Sequence, residues 1–505
     1  MGAKAKTESQ PSKEHPKDPL EFDRISIWQR HAGKLVLGAL LIGFVALHCL
    51  LPLETALRIG ADEDFELAKA TLCLKGHKLY SEVWNDQPPL HTFLITQVLK
   101  VFPASALGPR LITTGFSLLL LTAVFLICRR ISGLAVATVA AVLLMSSPGF
   151  LELSASCMLE IPALAMAVGA LCVLVTFSHR GYHVPEIIAG LLFAIALQMK
   201  LVPAILGSLA ALVLWTVNRE RREGGHNLIV SWLMLGLVTG IAFVGIDVLL
   251  ERGAYLLHFQ QSLTSHFGEA KSFEYGSAAD HPFEWSVFLR NWDTTLPALV
   301  GVGVLIWQFL TTRNSRLNKQ STCASGKFFS VEDSKAGDRG AWSFDLGIVL
   351  PLAWLVLSLL VFSIHKPWWP YYYIHTAIPL CWCAAIGIWA LFTKVRQAKS
   401  HITLALVLLF LLGAFSWAGA RVWLQAGDMR RTPKISSTPV LREIARFKPF
   451  ATYFYAEQPI YSFYAGIPMP PQIAVNPLKR FWAGEMTHAR LAQELAKTKP
   501  GLILL

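Results

Sequence analysis

Long apolar segments recur along this 505-residue chain, and they constrain its fold more than any other feature. Hydrophobic residues make up 54% of the sequence and charged residues only 15%, whereas a typical soluble domain has about 25% charged residues. A helix of about 18 or more apolar residues is long enough to cross the ~30 Å hydrocarbon core of a bilayer. The sequence therefore predicts an all-α polytopic membrane protein.

Eleven segments are predicted to span the membrane. They lie at about 35–53, 110–128, 132–149, 161–177, 185–199, 201–217, 228–250, 295–311, 344–363, 371–392 and 402–420. If the N-terminus is cytosolic, the cytosolic segments hold 22 Lys and Arg residues and the opposite ones, apart from the tail, hold 11. Because cytosolic loops carry an excess of these residues, the bias places the first large loop, 54–110, and the C-terminal tail outside.

Three regions are expected along the chain. Residues 1–34 are polar and lack the features of a cleavable signal peptide, so we expect a disordered cytosolic arm. Residues 35–420 form the transmembrane domain. After the last span, the pattern of residues 421–505 predicts short strands and an amphipathic helix, and therefore a small extracytoplasmic α/β segment. The sequence leaves open whether this segment is complete. Its expected elements are a strand at 451–455, a helix at 487–496 and a strand at 501–505.

The distribution of charge argues against a nucleic-acid-binding protein, and the spacing of the cysteines argues against a cysteine metal site. The net charge of +12 could indicate nucleic acid, but Lys and Arg are spread through short loops and form no basic face. We therefore expect membrane lipids as partners and no nucleic acid. The eight cysteines lie mostly in or beside apolar segments without metal-binding spacing, so we expect them to be packing residues.

Two acidic motifs lie in the first outer loop. Asp62, Glu63 and Asp64 follow the first apolar segment, and Asp86 precedes two prolines. A carboxylate costs roughly 2.5–3.5 kcal/mol at the centre of a bilayer, so acidic residues at a helix end indicate a site. Transfer of a group to a hydroxyl or amine needs a base near the acceptor, for which Asp62 is the first candidate and Asp86 the second. A solvated loop for the cluster and an Asx turn for Asp86 are the alternatives.

Further candidates lie at the same predicted depth. Glu160 begins a span, where it is either a helix cap or a substrate ligand. Lys200 is either a snorkelling lysine or a phosphate ligand, since a departing phosphate needs positive charge. The other substrate-binding candidates are Arg58, His91, His365, Lys366, Tyr371, Tyr372 and Tyr373, of which the tyrosines also suit an interfacial aromatic belt.

A divalent cation is an open alternative. Asp62, Glu63 and Asp64 would supply oxygen ligands suited to Mg, Mn or Ca, but no histidine or cysteine spacing adds to them. No other cofactor is expected.

Two short helices are predicted in the first outer loop. The stretch 91–102 is apolar but too short to span, which favours a helix along the membrane surface. The stretch 66–74 is a second candidate.

Several motifs follow one another in a characteristic order along the chain. They are Ala61-Asp62-Glu63-Asp64-Phe65, Leu74-Lys75-Gly76, Tyr80, Trp84-Asn85-Asp86-Gln87-Pro88-Pro89-Leu90, Arg110, Met158-Leu159-Glu160-Ile161-Pro162 and Lys366-Pro367-Trp368-Trp369-Pro370-Tyr371-Tyr372-Tyr373. From about residue 38 to 379, the chain resembles the GT-C glycosyltransferases. Within that superfamily it resembles bacterial relatives of protein O-mannosyltransferases and of the aminoarabinose transferase that modifies lipid A.

The resemblance implies a function. It implies a polyprenyl-phosphate-sugar donor, a glycan, lipid or protein acceptor, and an inverting transfer on the outer face. It maps acidic positions of the family onto Asp62-Glu63, Asp86 and Glu160, whereas Gln87 stands where relatives often carry lysine. We therefore expect a hexosyl or pentosyl transferase that acts in the cell envelope from a bacterial inner membrane. A transporter or flippase for lipid-linked sugars is the alternative, although no internal repeat is visible.

Overall fold

The computed structural model describes residues 19–54, 60–177, 183–220, 227–251, 255–267, 276–323, 342–397, 401–431 and 438–505. These ranges are mostly helical. The helices of the membrane domain are α1 (Pro19–Cys49), α4 (Leu107–Ser132), α5 (Leu134–Met145), α7 (Glu160–Phe177), α8 (Val184–Met199), α9 (Leu206–Glu220), α10 (Leu228–Glu251), α13 (Trp292–Cys323), α14 (Trp342–Ile364), α15 (Tyr373–Gln397) and α16 (His401–Arg431). Short 3₁₀ turns at Val202–Ile205 and Pro370–Tyr372 precede α9 and α15.

Each predicted span falls on one of these helices. Within the described ranges, eight helices are long and apolar enough to cross a membrane. The segments at Leu134–Met145, Val184–Met199 and Val202–Val217 are apolar but shorter. The polytopic all-α fold is therefore confirmed, while the count of eleven spans stays a prediction.

The N-terminal helix is longer than expected. Helix α1 begins at Pro19, so the second half of the arm predicted to be disordered is helical. Residues 1–18 lie outside the described part of the chain.

The membrane core is built from closely packed helices. Helices α4, α5, α7, α8, α9, α14 and α15 bury one continuous apolar cluster that includes Phe125, Trp354 and Trp382. Helices α13 and α15 approach most closely at Gly301 and Gly387, where a Cβ on either glycine would collide with the backbone of the facing helix. Small residues allow such backbone approach between membrane helices, where packing rather than water exclusion drives association.

Two short helices lie in the segment between α1 and α4, as predicted. Helix α2 (Gly60–Leu74) and helix α3 (Leu90–Val101) pack against each other and are joined by residues 75–89. Helix α2 begins six residues before the predicted start at Glu66, so that the acidic cluster forms its first turn. The N-terminal end of a helix favours carboxylates electrostatically, which explains the earlier start. Shorter outer helices are α6 (Phe150–Ser154), α11 (Tyr255–Phe267) and α12 (Ser286–Arg290).

The C-terminal module contains the predicted strands and helix. Its elements are α17 (Pro439–Phe447), β1 (Phe454–Ala456), α18 (Ile460–Ala465), α19 (Leu478–Trp482), α20 (His488–Thr498) and β2 (Leu502–Leu504). The two strands pair in parallel, with Phe454 opposite Leu502. Helix α16 continues to Arg431, so this module starts later than the predicted boundary at 421.

The module packs directly on the first outer loop. Leu72 and Trp84 share an apolar cluster with Met469 and Ile473 of the module. The Trp84 indole N–H donates a hydrogen bond of 2.7 Å to Glu485. A second cluster joins α18 to the surface helices α2 and α3. The C-terminal module therefore covers the acidic motifs that sequence reasoning placed in an open loop.

Candidate functional site

The structure brings Asp62, Glu160, Lys200, Tyr371 and Tyr372 together. Glu160 and Lys200 form a buried ion pair. The Lys200 ammonium lies 5.1 Å from the ring centroid of Tyr371 and 5.2 Å from that of Tyr372. Tyr371 is within hydrogen-bonding reach of Asp62. Five of the predicted residues thus meet at one end of the membrane helices.

Local backbone structure sets up this meeting. Glu160 is the first residue of α7, and Lys200 adopts an extended conformation in the break that ends α8. The 3₁₀ turn before α15 places Tyr371 and Tyr372 opposite that break. The second carboxylate oxygen of Glu160, Oε2, is buried and has no hydrogen-bond partner among the described residues. Glu160 therefore holds Lys200 in place with one oxygen and keeps acceptor capacity on the other.

Asp86 faces the same region from the loop between α2 and α3. It is buried, accepts a hydrogen bond of 3.1 Å from Gln87, and forms an ion pair with Lys479 of α19. Lys479 also lies close enough to Asp62 for that carboxylate to act on its charge. Sequence reasoning missed Lys479, because only the tertiary packing of the module brings it to the two aspartates.

The loop that carries Asp86 is held by hydrogen bonds. Tyr80 donates to the Gln87 carbonyl at 2.8 Å, and Asn85 donates to the same carbonyl at 2.7 Å. Lys69 donates to the Asn85 side chain at 2.9 Å, and Ser262 of α11 donates to the Asp86 carbonyl at 3.0 Å. These bonds fix the position of Asp86, which is more than an isolated Asx turn would provide.

Glu63 is bound within the protein. Arg110 donates to its two oxygens at 2.7 and 3.0 Å, and the Cys157 amide donates at 3.0 Å. Arg110 also donates to the Leu53 carbonyl at 2.7 Å. Both oxygens of Glu63 are thus occupied, and this geometry favours a structural role over the predicted substrate-binding role.

The carboxylates in the first turn of α2 do not converge on a common point. Neighbouring residues of an α-helix point about 100° apart, and Glu63 is held by Arg110. In the described part of the chain, the one group of at least three acidic, histidine or cysteine residues with converging ligand atoms lies elsewhere. The suggestion of Asp62, Glu63 and Asp64 as metal ligands therefore has no support from the geometry.

His91 lies in a buried network under the site. It is 3.3 Å from Glu66, which Lys69 contacts at 2.5 Å. Burial alone would raise the pKa of Glu66, but Lys69 and His91 lower it to about 2. Burial and the neighbouring Glu63 raise the pKa of Asp64 to about 8. At neutral pH, Glu66 is therefore charged, whereas the surroundings of Asp64 favour its neutral form.

The remaining candidates lie at or beyond the edge of the site. His365 and Lys366 are exposed just after α14, and the His365 ring lies edge-on to Tyr372 at a centroid distance of 5.4 Å. Tyr373 is buried on another side of α15, where it packs against Phe288 near Asp293. Arg58 lies outside the described residues. The roles predicted for these residues stay predictions.

A second polar cluster lies beside Tyr80. His258 Nδ1 is 3.0 Å from Asp247 and 3.1 Å from Glu251, and the Tyr80 ring stacks on the imidazole at a centroid distance of 4.9 Å. Burial would lower the pKa of His258, but hydrogen bonds to Asp247 and Glu251 raise it to about 9. One ligand atom from each of the three residues lies within 4.8 Å of the others. The cluster suits either a protonated histidine or a divalent cation. Sequence reasoning missed this cluster, although Asp247, a carboxylate inside an apolar span, is a signal that could have found it.

The chain is similar to known proteins in sequence and in structure. Residues 86–245 match the family Dolichyl-phosphate-mannose-protein mannosyltransferase. No curated protein sequence matches the chain significantly. ArnT from Cupriavidus metallidurans in the apo state has a TM-score of 0.56 at 14% identity, with 86% of this chain and 84% of ArnT covered.

Two liganded structures are similar as well. ArnT from the same organism bound to undecaprenyl phosphate has a TM-score of 0.54 at 16% identity, covering 87% of this chain and 85% of ArnT. The oligosaccharyltransferase AglB from Archaeoglobus fulgidus, in complex with an inhibitory peptide and a dolichol-phosphate, has a TM-score of 0.52 at 14% identity. The match covers 90% of this chain but only 65% of AglB.

These matches show the fold of the chain. It is the fold of ArnT and AglB, in agreement with the predicted resemblance. The sequence match to the mannosyltransferase family begins at Asp86 and includes Glu160 and Lys200.

Proposed function

We propose that this chain is a membrane glycosyltransferase that moves a sugar from a polyprenyl-phosphate donor to an acceptor on the extracytoplasmic face. The observation that carries the proposal is the convergence of Asp62, Glu160 and Lys200 with Asp86 and Lys479 at one end of the membrane helices. Carboxylates and ammonium groups in one partly buried site suit a reaction that removes a proton and releases a phosphate.

The reaction can be written on this site. The acceptor hydroxyl gives its proton to a carboxylate while its oxygen bonds to the anomeric carbon of the sugar. The bond between that carbon and the phosphate oxygen breaks, and its electron pair leaves with the polyprenyl phosphate. The phosphate charge rises from about −1 to −2 as it departs, so a nearby cation stabilises the transition state.

Accessibility favours Asp62 as the base. Asp62 is half-buried and contacts Tyr371, whereas Asp86 is buried and paired with Lys479. A base must reach the acceptor proton directly or through one water. In this assignment, Asp86 binds the acceptor or holds its partner cation, Lys479.

Lys200 is the cation best placed within the predicted set. Glu160 fixes one side of its ammonium group, and the rings of Tyr371 and Tyr372 flank it. The tyrosine hydroxyls add donors for phosphate oxygens. This arrangement agrees with a lipid-phosphate donor, and ArnT and AglB have both been solved with a polyprenyl or dolichol phosphate.

The finer assignments belong to the same proposal. The transferred sugar is a hexose or a pentose, and the acceptor is a glycan, a lipid or a protein. The charge bias of the loops favours an active site on the outer face of a bacterial inner membrane.

The test uses purified protein in lipid nanodiscs with a panel of radiolabelled hexosyl and pentosyl polyprenyl phosphates and candidate acceptors. We expect transfer from at least one donor, lost in Asp62→Asn and kept in Glu54→Gln, which changes an exposed carboxylate of the same loop. Movement of an intact lipid-linked sugar across liposomes without any transfer would support the transporter alternative and contradict the proposal.

A further inference from the structure

Helix α19 carries a lysine from the C-terminal module into the candidate site. Lys479 forms an ion pair with Asp86, and Asp62 lies close enough to act on the same ammonium group. The two aspartates considered as the base thus share one cation. That cation comes from a part of the chain to which sequence reasoning gave no role.

The adjacent residue Arg480 anchors helix α19, which carries Lys479. Arg480 donates to the Val475 carbonyl at 2.8 Å and to the Asn476 side chain at 2.9 Å. The same guanidinium lies over the Trp84 ring, 5.3 Å from its centroid. Because Trp84 is two residues from Asp86, this contact fixes α19 relative to the acidic loop.

Three other cations around the site, among the residues that the structure describes, also have internal partners, including the phosphate-ligand candidate Lys200. Arg110 is bound by Glu63, Lys69 by Glu66 and Lys200 by Glu160, and their side chains are 2%, 3% and 7% exposed. The Lys479 side chain is 29% exposed, although its partner Asp86 is buried. Of these four cations, Lys479 is therefore the one that an incoming anion reaches most easily.

We propose that Lys479 is a phosphate-binding residue, which the C-terminal module supplies to the lipid-phosphate donor beside Asp86. In the free protein its ammonium neutralises Asp86. In the donor complex it contacts the phosphate and leaves the Asp86 carboxylate available to the acceptor. The identity of the phosphate as that of a lipid-linked sugar depends on the proposed function.

The electrostatic surroundings of Lys479 predict a pH dependence. Burial lowers the pKa of Lys479 to about 8, and Lys69 lowers it further, whereas Asp62, Glu66 and Glu485 oppose this effect. Its ion-pair partner Asp86 also favours the charged form. The charged form binds an anion, so binding should be strongest below this pKa and should weaken as the pH rises through it. A phosphate monoester is already fully ionised there, since its second pKa is about 6.

The experiment measures binding of polyprenyl phosphate without sugar to the full chain in nanodiscs. Lys479→Met should weaken binding about 10- to 100-fold, the effect of losing one hydrogen bond to a charged group. Lys497→Met is the matched control, because Lys497 lies in the same module and its side chain is 72% exposed. This control should bind as the wild type does.

A second variant isolates the charge from the fold. Lys479→Arg keeps a positive charge at all accessible pH values, so it should retain binding between pH 8 and 9.5, where the wild type loses it. Wild-type affinity in Lys479→Met, or the same loss at high pH in Lys479→Arg, would overturn the role of Lys479.

The outcomes separate this inference from the proposed function. A wild-type protein that transfers sugar and binds polyprenyl phosphate, together with a Lys479→Met variant that does both equally well, overturns the inference alone. A wild-type protein that neither transfers sugar nor binds polyprenyl phosphate overturns the proposed function and the inference with it.

Discussion

Removing Arg110 should destabilise the protein strongly, because it leaves a buried charge without a partner. The side chains of Arg110 and Glu63 are 2% and 1% exposed, and two hydrogen bonds join them at 2.7 and 3.0 Å. Arg110→Met keeps an apolar chain of similar length but removes the cation. Glu63 then retains one hydrogen bond, from the Cys157 amide.

The magnitude follows from this geometry. Removing one partner of a buried ion pair typically costs about 3–5 kcal/mol, because the remaining charge is desolvated and unpaired. The double variant Glu63→Gln with Arg110→Met removes both charges and should cost less than the sum of the two single changes. We expect a coupling of about 0.5–3 kcal/mol between the two positions.

The assay is equilibrium unfolding in mixed micelles by a denaturing detergent, followed by tryptophan fluorescence. Arg446→Met is the control, since its ion pair with Glu443 lies on the surface and should contribute little. Wild-type stability in Arg110→Met, or strictly additive effects in the double variant, would refute a structural role for this pair. Loss of sugar transfer in a stable double variant would return Glu63 to a substrate-binding role.

Three further predictions follow from other parts of the structure. His258, whose pKa is raised to about 9 from its ordinary 6.5, should stabilise the fold fully below pH 6.5 and lose this effect as the pH rises through 9. The stability difference between wild type and His258→Gln should therefore be larger at pH 6 than at pH 10; an equal difference at both pH values would contradict the protonated-histidine explanation. Gly301→Leu should prevent close packing of α13 and α15 and lower the yield of folded protein, whereas Gly303→Leu, with open space at its Cβ, should not. Equal yields would contradict this contact. Reporter fusions after Arg129 and after Leu505 should report cytosolic and external positions; the reverse would place Asp62 on the wrong side of the membrane.

Sequence reasoning located the membrane helices well because their signal is local. A long apolar segment has only one compatible environment, so each predicted span falls on a helix. Three of the predicted spans fall on apolar helices of 10–17 residues, shorter than the other eight. The start of α2 was misplaced because the carboxylates were interpreted as loop residues, although they suit the first turn of a helix.

The candidate site was only partly predictable. Glu160, Lys200 and Tyr371 were singled out by their type and depth, and the structure brings them together. Tyr373 does not join them, because consecutive residues at the start of a helix face different directions. Lys479 was not found, since its approach to Asp86 depends on packing between segments at opposite ends of the chain.

The central claim is that Asp62 activates an acceptor while the lipid phosphate is held by other residues. The most direct measurement compares Asp62→Asn with wild type for two quantities, the single-turnover rate of sugar transfer and the affinity for polyprenyl phosphate. We predict that the rate falls about 10²- to 10⁴-fold, the usual effect of losing a general base, while the affinity changes little. A normal transfer rate in Asp62→Asn would contradict this claim and move the base to Asp86. A normal rate in Asp86→Asn as well would contradict the enzyme mechanism built on the two aspartates.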